Sequence, residues 1–523
     1  MQHNTIPLAD TKAFSQFFLD YIQQKQTLEP FYHRFPIIGN FKAQVEEKGR
    51  AFPTSHREVL VSSLNKQYNG LTVSEPVTKN ISALAHPNTF TVTTGHQLNI
   101  FTGPLYFIYK IITVINACKQ LKDLHPEFNF IPVYWMASED HDYDEIKYFR
   151  LYGKKYTWET SQRGAVGRFS TEGFQKFLDE IPGDVSVFRE AYTKNKNLAD
   201  AVRHYVNALF GDEGLIVLDA DHHDLKMLFK PVIEDDIFNN STLALVDNTN
   251  KHLSDLGYKT QVFCRDINFF YLDKSIRERI EKRDGRYLVL GTDLGFTEAE
   301  LRNIIAQEPE RFSPNVILRP LYQEWILPNL AYVGGPSENV YWLQLKKVFD
   351  FHKIPFPMLM PRNFAVVVDH TIQRKLEKTG LDFIQFFEEK NYLFNHWMLK
   401  NSQKNLSVGA ERETIMEIYT NLRKRAESID KTLGPFTSAE GTRVMNGLEK
   451  IERKLLRAEK RLHSDKLRQI EEVKDALFPN GSLQERVDNF LNFYQHDKQF
   501  ISKLITCFDP FDYQFNVITC TRL

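Results

Sequence analysis

Three times before residue 225 a short apolar run stops abruptly at a cluster of polar groups, and this repetition limits the fold more than any other feature. Residues 90–94 (FTVTT) alternate like a strand and end at Gly95, His96 and Gln97. Residues 130–137 are continuously apolar over a strand's length and end at Ser138, Glu139, Asp140, His141 and Asp142. Residues 214–218 (GLIVL) end at Asp219, Ala220, Asp221, His222 and His223. Strands apolar on both faces belong to parallel sheets covered by helices, and such sheets carry their sites at the carboxyl ends of the strands. Between the first two runs, a loop with Gly103 and Pro104 leads into helical apolar spacing over residues 105–121, which makes a β-α-β element. Segments 314–327 and 331–342 flank the turn Gly334-Gly335-Pro336, and 354–362 gives a short proline-bounded strand before 364–369. The pattern predicts a doubly wound α/β core with insertions over residues 1–375.

After Gly380 the chain becomes dense in Lys and Glu and poor in Gly and Pro. Ile415, Tyr419, Leu422, Ala426, Ile429 and Leu433 are spaced 4, 3, 4, 3 and 4, the seam of a coiled coil. Gly434-Pro435 is expected to break that helix. Leu448, Ile451, Leu455, Ala458 and Leu462 resume the seam, and Ile470, Val473 and Leu477 continue it after a slip. An antiparallel coiled-coil arm is therefore expected over residues 376–478. Its surface charges from Lys450 to Arg461 are mixed in sign, as on a solvated face. Residues 479–523 are expected to form a last helix and an aromatic tail packing on the core or on a second subunit.

With 66 Lys and Arg against 67 Asp and Glu, the chain has no global field to attract nucleic acid or an anionic membrane. The amino terminus lacks a secretion signal, and no apolar run approaches the roughly 20 residues of a membrane span. A cytoplasmic protein acting on small molecules is the expectation. Cys118, Cys264, Cys507 and Cys520 form no C-x-x-C pair, so reduced thiols are expected and no metal site is expected from cysteines.

The strand ends supply the candidate chemistry. From Gly95, His96 and Gln97 through Asn99, Thr102 and Gly103, a strand turns into a helix whose free N–H groups and dipole suit a phosphate or carboxylate. An ordinary turn, with Thr102 as cap and Pro104 in the first helical position, is the structural alternative. The carboxylates and imidazole after the second run cannot all be satisfied cheaply without a ligand, a cation or a basic partner. Glu139 or His141 is a candidate general base; Asp140 and Asp142 are candidates for holding an ammonium group or Mg²⁺. Asp219, Asp221, His222 and His223 could complete a metal site. Arg319 and Gln323 share a face beside Gly334, Gly335, Ser337 and Glu338, where glycines allow close backbone approach to a substrate. Arg362 offers a planar fork to a carboxylate or phosphate. A structural salt bridge is the alternative for either arginine.

Four blocks taken in order resemble the BshC family of bacillithiol biosynthesis: residues 93–110 (TTGHQLNIFTGPLYFIYK), 130–142 (FIPVYWMASEDHD), 313–344 (SPNVILRPLYQEWILPNLAYVGGPSENVYWLQ) and 448–491, which contains LRAEKR and ALFPNGSLQERV. The resemblance implies a Rossmann-like core of the class I aminoacyl-tRNA synthetase type with connective insertions, plus an α-helical coiled-coil domain through which subunits form a homodimer. It also implies a ligase that joins L-cysteine to the sugar amine of glucosaminyl-malate through an amide bond, giving bacillithiol. Making an amide from a free carboxylate requires activation, so ATP with Mg²⁺ is expected. In that setting His96 and the helix start would stabilise phosphate charge, Asp140 or Glu139 would hold an ammonium group, and His141 would accept the amine proton. Arg319 or Arg362 would receive the malyl carboxylates. Two other readings are a metal-dependent amino-sugar hydrolase or deacetylase using Asp140, His141 and Asp219 or Asp221, and a nucleotide-binding coiled-coil scaffold.

Overall fold

The structure is a computed structural model that describes residues 2–402 and 406–520. It divides into two units, one from residues 2–366 together with Gln484–Ile518, the other from Val367–Leu483 together with residues 519–520.

The first unit is built on five parallel strands: β1 (Thr89–His96), β2 (Asn129–Met136), β3 (Ile216–Asp219), β4 (Asn329–Gly334) and β5 (Met358–Pro361). Their order across the sheet is β5-β4-β1-β2-β3. The chain runs outward from β1 in one direction and then in the other, so the boundary between β1 and β4 is a topological switch point. Each strand read from an apolar run is present, and β1 extends through Gly95 and His96. All eight residues of β1 are buried although four are threonines. Thr91 and Thr93 donate to Asn329 Oδ1 at 3.1 and 2.8 Å, and Thr94 donates to the Val333 carbonyl at 2.7 Å. The buried hydroxyls thus bond to β4, as buried polar groups must.

Helix α1 (Tyr106–Leu124) is buried without interruption from Phe107 to Cys118. Its Val114, Ala117, Cys118 and Leu121 pack with Phe90, Val92 and Ala331 of the sheet in one core cluster. Each large apolar side chain buried in this way contributes about 1.5–3 kcal/mol. From the far end of the sequence, Asn116 Nδ2 donates to the carbonyls of Ile505 and Phe508 at 2.8 and 2.7 Å, which docks the helix Phe500–Cys507. Helices α2 (His223–Asn239), α3 (Arg319–Ile326) and α4 (Pro336–Trp342) complete the frame of the site.

A second, antiparallel sheet is inserted between β3 and β4. Its strands lie in the order Gly295–Phe296, Arg286–Val289, Ile276–Arg283, Phe269–Asp273 and Phe312–Pro314. The strand IRERIEKR at its centre is charged at most positions and carries no apolar signal.

The second unit contains helices Gly409–Ile429, Leu433–Leu462 and Ser464–Leu477. The first two form the expected antiparallel hairpin, but the break falls at residues 430–432 and not at Gly434-Pro435. Both of those residues lie in the first turn of the second helix, where proline lacks no needed N–H. The seam read as continuous through a slip is interrupted at His463, and Ser464–Leu477 packs instead against His370–Thr379 and Lys390–Asn401. Among the described residues no helix is long and apolar enough to cross a membrane.

Candidate functional site

The carboxyl ends of β1, β2 and β4 open into a cavity of about 730 Å³, whose other wall is the inserted antiparallel sheet with the loop before it. A volume of this size accommodates a drug-sized ligand.

At the switch point the cavity floor is a buried charge cluster. Lys110 of α1 donates to the Gly95 carbonyl at 2.8 Å and pairs with Glu338 of α4 at 2.5 Å. Glu338 also accepts from the Tyr332 hydroxyl at 2.6 Å and from the Gly335 N–H at 2.8 Å. Burial raises the acid's pKa, but the Lys110 charge and these bonds outweigh it and hold Glu338 at about 2. Burial lowers the pKa of Lys110, against the pull of Glu338. His96 packs its ring on Tyr106 and Phe107, and its Nε2 has no protein partner. Burial first, then the Lys110 charge, pushes His96 down to about 3. It is therefore uncharged at neutral pH: it can hydrogen-bond a developing anion but adds no positive charge, which corrects the electrostatic part of the expectation. Arg319 lies among the rings of Trp135, Tyr332 and Trp342 at 5.9, 5.4 and 5.8 Å. Its Nη1 donates to Gln323 Oε1 at 3.2 Å, while its Nη2 has no partner.

At the end of β2, Glu139 pairs with the fully buried Lys226 of α2, which also donates to the Phe312 carbonyl at 2.7 Å. Burial raises the pKa of Glu139, and Lys226 opposes the shift. Asp140 accepts from Gln97 Nε2 at 3.1 Å and from the His141 backbone N–H at 2.8 Å, and lies 3.7 Å from Arg277. Burial disfavours its charged form, but contacts with His141, the Arg277 charge and the Gln97 bond together hold it well below the usual carboxylate range. Arg277 Nη1 donates to His141 Nδ1 at 2.6 Å, so the His141 proton sits on Nε2. In this geometry His141 Nδ1 is already engaged by Arg277, and His141 itself does not line the cavity.

The acids after β3 are already engaged. Asp219 accepts from Ser138 Oγ, and Asp221 takes the fork of Arg168 at 2.8 and 2.9 Å. Burial and the neighbouring Asp221 raise Asp219 to about 6. Among the described residues no three His, Cys, Asp or Glu side chains are grouped as a metal would require. Asp142 is exposed and outside the cavity.

Of the residues singled out from sequence, the cavity collects His96, Gln97, Glu139, Asp140, Arg319 and Glu338, with His141 attached through Arg277. Asn99, Thr102 and Gly103 shape the turn beneath it and do not line it. Thr102 does not cap α1: its Oγ1 has no protein partner, and the helix begins at Tyr106. Gln323 positions Arg319, and Gly335 positions Glu338. Gly334 abuts Asn339, where a Cβ would come within 2.4 Å of Oδ1, and Ser337 is exposed. Arg362 forms a buried double ion pair with Glu485, 3.0 Å from Nη1, and does not line the cavity. Its expected contact with a substrate acid gives way to this structural bridge. Lys110, Lys226, Arg265, Arg277 and Arg279 were not singled out. A lone lysine inside an apolar helix (FIYKIITVINA) is a readable signal for the first; the arginines reach the cavity only through the inserted sheet and the loop before it.

Residues 1–363 match the family described as bacillithiol biosynthesis BshC, N-terminal Rossmann-like domain, and residues 365–520 match the C-terminal coiled-coil domain of the same family. Relatives designated candidate cysteine ligases of the BshC type include one from Christiangramia forsetii, 42% identical with 100% of both chains covered. Another, from Flavobacterium psychrophilum, is 41% identical over 97% of each chain. A third, from Salinibacter ruber, is 31% identical over 94% of this chain and 93% of the relative. The matches span both units of the structure, and the chain belongs to the BshC family of bacillithiol biosynthesis.

Proposed function

We propose that the protein is the cysteine ligase of bacillithiol biosynthesis, joining the carboxyl of L-cysteine to the amine of glucosaminyl-malate. The observation that carries the reading is the cavity at the switch point, where Glu139, Asp140 and Glu338 share one space of about 730 Å³ with Arg265, Arg277, Arg279 and Arg319. Activation is by ATP: a cysteine carboxylate oxygen attacks the γ- or the α-phosphorus and expels ADP or pyrophosphate, and the sugar amine then attacks the acyl carbon and expels phosphate or AMP, respectively. The amine proton passes to Glu139, whose raised pKa makes it the better acceptor, while Asp140 stays charged and holds an ammonium group. His96 stabilises developing oxygen charge by a hydrogen bond. Mg²⁺ enters with the nucleotide phosphates, and no step is assigned to it. The reading puts the protein in the cytoplasm, where ATP and reduced thiols are available. It works as a homodimer through the coiled-coil hairpin, which leaves Ile451, Leu455 and Leu462 exposed at 52%, 41% and 69%.

Mass spectrometry of the purified protein with glucosaminyl-malate, L-cysteine, Mg²⁺ and ATP, against a tube without ATP, tests the reading. Bacillithiol formed only with ATP, together with AMP or ADP, is the expected result, and the nucleotide released identifies the activation route. Product without ATP would overturn the activation step, and no product in either tube would overturn the assignment.

A further inference from the structure

Cancelling the charges that the cavity already pairs leaves a remainder with a direction. Lys110 is matched by Glu338, Lys226 by Glu139, and Arg277 stands 3.7 Å from Asp140. The lining groups left over are Arg265, Arg279 and Arg319 against Glu145, which itself accepts from Gln97 at 2.7 Å. Among the described residues neither Arg265 nor Arg279 has a side-chain ion pair or hydrogen bond. The cavity therefore presents unneutralised guanidinium groups, and two of them belong to the insertion.

Their placement is built. Arg279 stands two residues beyond Arg277 on the strand Ile276–Arg283, hence on the same face and roughly 7 Å farther along. Its cross-strand partner is Phe270, whose ring carries the Arg277 guanidinium at 4.0 Å and lies 5.6 Å from His141. Arg265 sits in the loop before that sheet. Its N–H donates to Asn268 Oδ1 at 3.1 Å and its carbonyl accepts from Asn268 Nδ2 at 2.8 Å. Asn268 is in turn held by the buried Asp236 at 2.6 and 3.0 Å. The backbone is fixed while the guanidinium is exposed to the cavity. Two anchored, unpaired forks beside one reaction centre suit two carboxylates, because each guanidinium binds one carboxylate through parallel hydrogen bonds.

We propose that Arg265 and Arg279 form a receptor for a small dicarboxylate, the diacid arm of the acceptor sugar, and so set the specificity of the site. This rests on the proposed function, in which the acceptor carries such an arm. The alternative anion is the nucleotide phosphate, and the test separates the two. Arg265→Gln, Arg279→Gln and the double variant are compared with the wild type in steady-state assays. A rise of about 10- to 100-fold in KM for glucosaminyl-malate is expected, with kcat and the KM for L-cysteine and ATP changed less than about twofold. Wild-type catalysis with unchanged acceptor KM in the double variant, or a rise in the ATP KM instead, overturns the receptor and leaves the ligase standing. Thermal stabilisation by L-malate is read separately and needs no turnover. Stabilisation of the wild type that is lost in the double variant supports the receptor even if no product forms; stabilisation that survives in the double variant, or that is absent from the wild type, counts against it.

Discussion

Lys110 is the residue on which the floor of the cavity depends. It is 4% exposed and holds both a backbone carbonyl of β1 and the carboxylate of Glu338, so its removal strands a largely buried negative charge. Lys110→Met should cost about 3 kcal/mol in urea denaturation, and adding Glu338→Gln should recover part of that loss, because a protonation-silent partner no longer requires the ammonium. Asp236 makes a different prediction. Burial raises its pKa to about 6 from 3.8 despite two bonds from Asn268. The native state therefore binds more protons than the unfolded chain between those values, so stability falls as pH rises through that window. Asp236→Asn should remove about 2 kcal/mol of that fall, and thermal melts at pH 4 and pH 7 will reveal it as a flatter profile.

At the scale of elements, the turn from β1 to α1 is under local strain. Phe101, Thr102 and Gly103 have φ of +52°, +69° and +62°, a run that L side chains rarely adopt. Asn489 Nδ2 donates to the carbonyls of Phe101 and of Gly103, each at 2.6 Å, and the Phe101 ring stacks on Phe149 and Phe188. A Cβ on Gly103 would come within 2.6 Å of Asn99 Cβ. Gly103→Ala should therefore cost about 2–3 kcal/mol by thermal shift and abolish product formation. How much could be read in advance follows the same physics. The parallel strands were legible because burial on both faces demands continuous apolar runs, and their polar ends marked the cavity's Rossmann-like side. The strand IRERIEKR was not legible, since its charges face solvent or the cavity and leave no period to detect. The tautomer of His141 and the pairing of Arg362 depend on Arg277 and Glu485, which lie 136 and 123 residues away in sequence, and no local pattern encodes contacts of that kind.

For the whole molecule, the exposed apolar positions of the helix Leu433–Leu462 predict the oligomeric state. Light scattering at micromolar concentration should give twice the chain mass, and the double substitution Ile451→Glu with Leu455→Glu should halve it. The order of the units along the chain has a consequence for biosynthesis. Gln484–Ile518 belongs to the first unit although Val367–Leu483, the main body of the second unit, precedes it. Until Asn489 clamps the turn and Phe500–Cys507 docks on α1, a growing polypeptide carries the α1 surface uncovered. A ribosome must read through the entire arm before the Rossmann-like unit can close. A premature stop anywhere in the arm would release a sticky half-core in place of a smaller working enzyme.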